Sequence, residues 1–283
     1  MIRIGTSGWS YDDWAGAFYP PGLPKSDWLG YYAKFFRTTE INSTYYTFPA
    51  SHIVGEWIRK ATRFPGFEYS VKMPKKVTHD SLLTDVQTAL DFETKVLAPM
   101  KSACVLGAVL VQLSPALSNP DHLERLATFL GTLDTKTYEY AVELRHRSWI
   151  REYGLDREAK ALFKKFDVAM CAVDGPSMPP LFSDTARHAY VRLHGRNRDV
   201  WFAKDKNLDG RMNRYDYVYT REELEPWRAK VESVTGNIRV YFNNHPRANA
   251  VRNAKLFEFM LGMAPEPGLP PVPRQTGLSG FFE

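Results

Sequence analysis

The sequence predicts an α/β protein: a (β/α)8 TIM barrel built as a single domain, with a short extended C-terminal tail. Three observations lead there. Eight short β-rich runs recur along the chain, helix-like segments separate them, and polar side chains gather at the C-terminal ends of the runs. An open doubly wound sheet is the alternative for the same alternation, and 283 residues suit a barrel formed as one unit.

The elements can be justified in chain order. "IRIGTS" (2–7) reads as the first strand, and 26–36 "SDWLGYYAKFF" as an amphipathic helix leading to "TTEIN" (38–42). "FEYSVK" (67–72) and "GAVLVQLS" (107–114) are the third and fourth strands. The helix expected over 120–131, "PDHLERLATFLG", opens on Pro and closes on Gly. "EYAVELR" (139–145), "DVAMCAVD" (167–174), "AYVRLHG" (189–195) and "NIRVYFNN" (237–244) complete the eight, followed by a helix over 246–262. Beyond Gly262 the chain turns Pro-rich ("APEPGLPPVP", 264–273), so residues 1–262 form the barrel and 263–283 the tail.

Composition narrows the class. With 44% hydrophobic and 24% charged residues the chain is a folded globular protein, and no uncharged apolar run is long enough for a membrane helix. The stretch "MIRIGTSGW" lacks the basic and apolar regions of a secretory signal, and Cys104 and Cys171 sit in apolar runs where reduced, buried thiols are expected, so a cytoplasmic location is expected. The net charge of +5 is unevenly spread: residues 185–255 carry 15 Lys+Arg against 8 Asp+Glu. That excess is either a solvated face or a surface for an anionic partner.

Polar residues two apart on a strand share a face. Applied to the strand ends, this gives Glu40, Lys72, Glu143, Asp174 and His194 as candidate catalytic groups: carboxylates, a lysine whose pKa enclosure would lower, and a histidine. Asn42, Gln112, Arg145, Arg192, Arg196, Asn243 and Asn244 are the candidate substrate or phosphate ligands. Any one of them could be a buried, paired residue closing the barrel. Desolvating the whole set without a ligand would cost several kcal/mol, which favours a functional cleft at the C-terminal mouth.

No cofactor is predicted. HExxH, CxxC and a helical His pair are absent, and Glu143, Asp174 and His194 on successive strands are left as a weak trio for a divalent metal. The absence of GxGxxG, the phosphate loop and GxSxG argues against a dinucleotide oxidoreductase, a nucleoside triphosphatase and a serine hydrolase. Segment 196–219 interleaves six Lys/Arg with Trp201, Phe202, Tyr215, Tyr217 and Tyr219, a composition that suits single-stranded nucleic acid or, equally, a loop packed over the barrel.

The motifs "GTSGWSYDDWAGAFYP" (5–20), "EINSTYY" (40–46), "YSVKMPKKVTH" (69–79), "VLVQLSP" (109–115), "VELRHRSW" (142–149), "YVRLHGR" (190–196) and "YFNNHPRANAVRNA" (241–254) together resemble the YecE-like family, domain of unknown function 72. The resemblance implies a barrel related at fold level to endonuclease IV and xylose isomerase-like barrels. It does not carry over the endonuclease's three-zinc chemistry, because only His79, His146, His194 and His245 lie near strand ends.

The tail ends in "QTGLSGFF" (275–282), which fits Gln-x-x-(Leu/Ile/Met)-x-x-(Phe/Tyr)-(Phe/Tyr) and resembles the PIP box that binds the sliding clamp PCNA. One helical turn would bring Leu278, Phe281 and Phe282 to one side as an apolar plug, with Gln275 hydrogen-bonding beside it. The alternatives are a variant bacterial-clamp ligand and a tail folded back over an apolar patch of the barrel. Three functions follow, in this order: a phosphodiesterase- or nuclease-like enzyme of nucleic-acid repair or processing recruited to a clamp; a barrel enzyme acting on a small phosphorylated or sugar-like metabolite; and a non-catalytic clamp-associated protein.

Overall fold

The computed structural model describes residues 1–152, 154–201 and 214–267. Eight parallel strands close into a barrel: β1 (Ile2–Ser7), β2 (Thr38–Ile41), β3 (Glu68–Lys72), β4 (Leu106–Gln112), β5 (Glu139–Glu143), β6 (Ala169–Asp174), β7 (His188–Leu193) and β8 (Asn237–Phe242). Each strand pairs with its sequence neighbours, and β1 closes on β8 in the register Ile4 to Val240. The eight expected strands are all present, within one to two residues at most ends.

The helical ring differs from expectation in instructive places. The predicted helix over 26–36 is regular only at Trp28–Tyr32, after a 3-10 turn. A short turn of helix, Ser43–Tyr46, and then Ser51–Ala61 follow; a later one runs continuously from Val86 to Ser102 and widens to a π-helical stretch at Glu93–Leu97, just before Pro99, which has no N–H to give. Leu123–Thr132, Arg157–Phe166, Arg221–Glu232 and Asn249–Met260 complete the ring. The last begins three residues later than expected because Pro246–Ala248 forms a 3-10 turn with Arg247 and Ala248 at positive φ. Between β6 and β7 the chain carries Pro176, Pro179 and Pro180 and no helix, and a depression of about 700 Å³ opens at the N-terminal ends of these strands. No helix among the described residues is long and apolar enough to cross a membrane.

The barrel interior is layered. At the bottom Arg239 donates to Glu68 and Glu139, over Gly107, where a Cβ would meet the guanidinium and Ser70 Oγ at 2.9 Å each. Above it Tyr241 hydrogen-bonds Thr38 and Ser70, beside Ala108, Leu110, Ala141, Cys171 and Tyr190. The larger apolar core lies outside the strands, against the helices. Cys171 is buried as expected, whereas Cys104 is exposed: it occupies the turn into β4 at φ 57°.

Candidate active site

The top layer of the barrel is an ion-paired floor. Arg192, on β7, lies between two fully buried carboxylates, giving Nη2 to Glu40 Oε1 at 2.8 Å and Nη1 to Glu143 Oε2 at 2.6 Å. Glu40 also accepts from Ser7 Oγ (2.8 Å) and Tyr190 OH (2.6 Å). Glu143 accepts from Gln112 Nε2 (2.7 Å) and from Arg145 (3.2 Å). Burial opposes both negative charges, but Arg192, joined by Tyr190 and Ser7 at Glu40 and by His194 and Arg145 at Glu143, outweighs it and holds the two carboxyls below their usual range. They are therefore ionised and fully engaged.

Above this floor opens a cleft of about 560 Å³, lined by Tyr11, Asn42, Tyr45, Lys72, Gln112 and Arg145, with His79, His194, Asn243 and His245 around them. Lys72 closes β3. Its Nζ donates to Gln112 Oε1 at 2.9 Å and sits 4.0 Å above the ring of Tyr45. Burial, then the positive charge of Arg192, lowers its pKa to about 8 despite the pull of Glu143 and Glu40. The histidines are neutral: burial lowers His79 and His245 to about 4 and depresses His194. Asn243 Nδ2 lies 2.9 Å from His194 Nδ1, which as the acceptor keeps the ring hydrogen on Nε2. That Nε2 is buried with no hydrogen-bond acceptor, 3.8 Å from Glu143, and Asn42 Oδ1 and His245 Nδ1 are likewise without partners.

The structure thus gathers Glu40, Asn42, Lys72, Gln112, Glu143, Arg145, Arg192, His194 and Asn243 in the cleft or its floor. It does not bring Asp174, Arg196 or Asn244 there. The inward face of β6 is Ala169, Cys171 and Val173, so Asp174 points to the helices, accepting from Trp227 Nε1 (2.7 Å), Tyr219 OH (3.0 Å) and, bidentately, Arg196 (2.8 and 2.7 Å). Asn244, adjacent to inward Asn243, faces outward onto Tyr217 and Asn253. With Asp174 outside, the trio proposed for a divalent ion is not assembled, and no other group of three His, Cys, Asp or Glu is placed to hold a metal among the described residues.

Sequence reasoning missed the aromatic components. Tyr45 under Lys72, Tyr190 on Glu40 and Tyr11 stacked on His245 at 4.5 Å were not among the expected site residues. Tyr190 had a usable signal, lying two residues before Arg192 on the same face. In the 196–219 segment Trp201 packs on Tyr215 (5.3 Å), and both rings approach His194, while residues 202–213 lie outside the described residues. Gln275, Leu278, Phe281 and Phe282, the residues expected to meet a clamp, lie outside them too.

Fold and site together define a class: a TIM-barrel protein with an ion-paired floor and a cation-bearing cleft at the C-terminal mouth of its strands. The chain belongs to the family described as "Protein of unknown function DUF72", which it matches over residues 3–276. It is 26% identical over 273 residues to UPF0759 protein YunF of Bacillus subtilis (strain 168), covering 90% of this chain and 93% of that one. The crystal structure of a DUF72 family protein from Thermotoga maritima MSB8 superposes with a TM-score of 0.77 at 31% identity, over 93% of this chain and 99% of the other. D-psicose 3-epimerase, crystallised in the presence of D-fructose, gives a TM-score of 0.50 at 10% identity over 93% of this chain and all of the other, a likeness of fold alone.

Proposed function

We propose that the protein is an enzyme acting on a small anionic molecule of sugar-phosphate size, with Lys72 as the group that takes and returns a proton. The charge balance of the cleft carries this reading. Lys72, Arg145 and Arg192 stand against Glu40 and Glu143, the carboxylates are engaged by Arg192, by neutral donors and, at Glu143, by Arg145 as well, and the three nearby histidines are uncharged, which leaves one positive charge in excess. The surplus positive charge belongs to Lys72 and the quarter-exposed Arg145, where a ligand entering the cleft would meet it. With a pKa near 8 Lys72 is mainly the ammonium at pH 7 yet close enough to neutrality to exchange its proton with a substrate, and His194 Nε2 supplies a donor for a substrate oxygen. Calorimetric titration with inorganic phosphate and a panel of sugar phosphates tests the reading: saturable binding is expected, weakened about tenfold by Arg145→Ala, equivalent to about 1.4 kcal/mol. Absence of saturable binding across the panel would overturn it.

A second reading takes the same cleft as the seat of one unstacked nucleotide of a nucleic acid, with the tail as a clamp ligand. The observation in its favour is aromatic: Tyr46 is 79% exposed at the rim of the cleft, and Trp201 and Tyr215 stand at its side, rings on which a base could stack. Salt-dependent affinity for single-stranded DNA, lowered by Tyr46→Ala, would support this reading over the first.

A further inference from the structure

We infer that Lys72 is also a nucleophile: its amine attacks the carbonyl carbon of a small anionic aldehyde or ketone and forms a Schiff base in the cleft. The inference rests on the small-anion reading above and adds a substrate class to it. Lys72 is only 8% exposed, and its ammonium meets Gln112 Oε1 at 2.9 Å and the Tyr45 ring at 4.0 Å in the wall of the cleft. Both buried carboxylates of the floor belong to Arg192, so neither makes a short ion pair with Lys72 to keep the proton on its nitrogen. Enclosed beside Arg192, the amine gives up its proton near pH 8, and an amine reactive at neutral pH results.

The step balances without an outside oxidant or reductant. The nitrogen lone pair forms the C–N bond as the carbonyl π pair moves to oxygen, which takes a proton; nitrogen then loses a proton to give the carbinolamine. Protonation of the hydroxyl releases water, the nitrogen lone pair closes the C=N bond, and hydrolysis reverses the sequence. The orphaned Nε2–H of His194 is a donor for the oxygen that accumulates charge, and Arg145 is the counterion for the substrate's anionic group.

Reductive trapping tests this. The full-length protein would be incubated with pyruvate, glyceraldehyde 3-phosphate or dihydroxyacetone phosphate and sodium borohydride, and its mass and peptide map recorded. One reduced adduct, mapping to Lys72, is expected with at least one probe; it should form about tenfold faster than labelling of any surface lysine, with a rate that rises with pH and levels off above about 8. Lys72→Met, checked for an unchanged circular dichroism spectrum, should lose that adduct, and so should Lys72→Arg. Adducts spread evenly over surface lysines, or none with any probe, would overturn the Schiff base. Phosphate affinity, measured separately, would then show whether the anion site itself survives.

Discussion

At the scale of the residue, Lys72 and Arg192 divide the work of the site. Arg192 neutralises two buried carboxylates at once. Arg192→Met should destabilise the protein by about 3–5 kcal/mol in denaturant unfolding, because Glu40 and Glu143 would be left buried without their cation. Lys72 behaves in the opposite way. Its folded pKa of about 8 lies below the ordinary 10.5, so the unfolded chain binds more protons between those values, and stability rises with pH through that window. Below pH 8 the cost of the buried charge is fully present, about 3 kcal/mol at pH 7. Wild-type stability should therefore gain about 2 kcal/mol on Lys72→Met between pH 7 and 9.5, and the variant should melt higher at pH 7 while losing turnover. Above pH 10 the buried tyrosines, whose pKa values burial raises, act with the opposite sign in both proteins.

At the scale of the element, strand alternation decides which polar residues reach the cleft. Glu40, Lys72, Glu143 and Arg192 follow inward small or polar residues at i−2 and Gln112 follows inward Leu110, and that alternation was legible in the sequence. Asp174 was ambiguous because every residue of β6 is buried, and burial on both faces of a parallel strand leaves no polar rhythm to set the phase. Its four hydrogen bonds instead tie β6 to the helix Arg221–Glu232 through Trp227 and to the loop through Arg196 and Tyr219. Asp174→Ala should lower stability by about 3 kcal/mol and leave phosphate affinity within twofold, measured by unfolding and calorimetry on the same variant. The gap in the helical ring after β6 is legible afterwards in Pro176, Pro179 and Pro180, which forbid a regular helix there.

At the scale of the whole molecule, the basic excess of residues 185–255 proves partly internal. Arg192 and Arg239 are buried in ion pairs, and Arg196 and Arg228 pair with acidic neighbours, so the count overstates the charge offered to a partner. Clamp recruitment remains a proposal about the tail. Titration into the sliding clamp of the same organism should give micromolar or tighter binding that Phe281→Ala/Phe282→Ala removes, with cleft chemistry unaltered; unchanged binding by the variant would reject the motif.

The sequence by itself determined the barrel and most of the polar residues at its mouth, because hydrophobic period and strand-end polarity are local properties that survive without coordinates. Only the tertiary structure decided which of those residues meet. That Arg192 consumes two carboxylates from β2 and β5, that Tyr45 lies beneath Lys72, and that Asp174 turns away are matters of phase and closure around the barrel. A pKa depends on distances between groups remote in sequence, so the lowered pKa of Lys72 exists only once the barrel has closed.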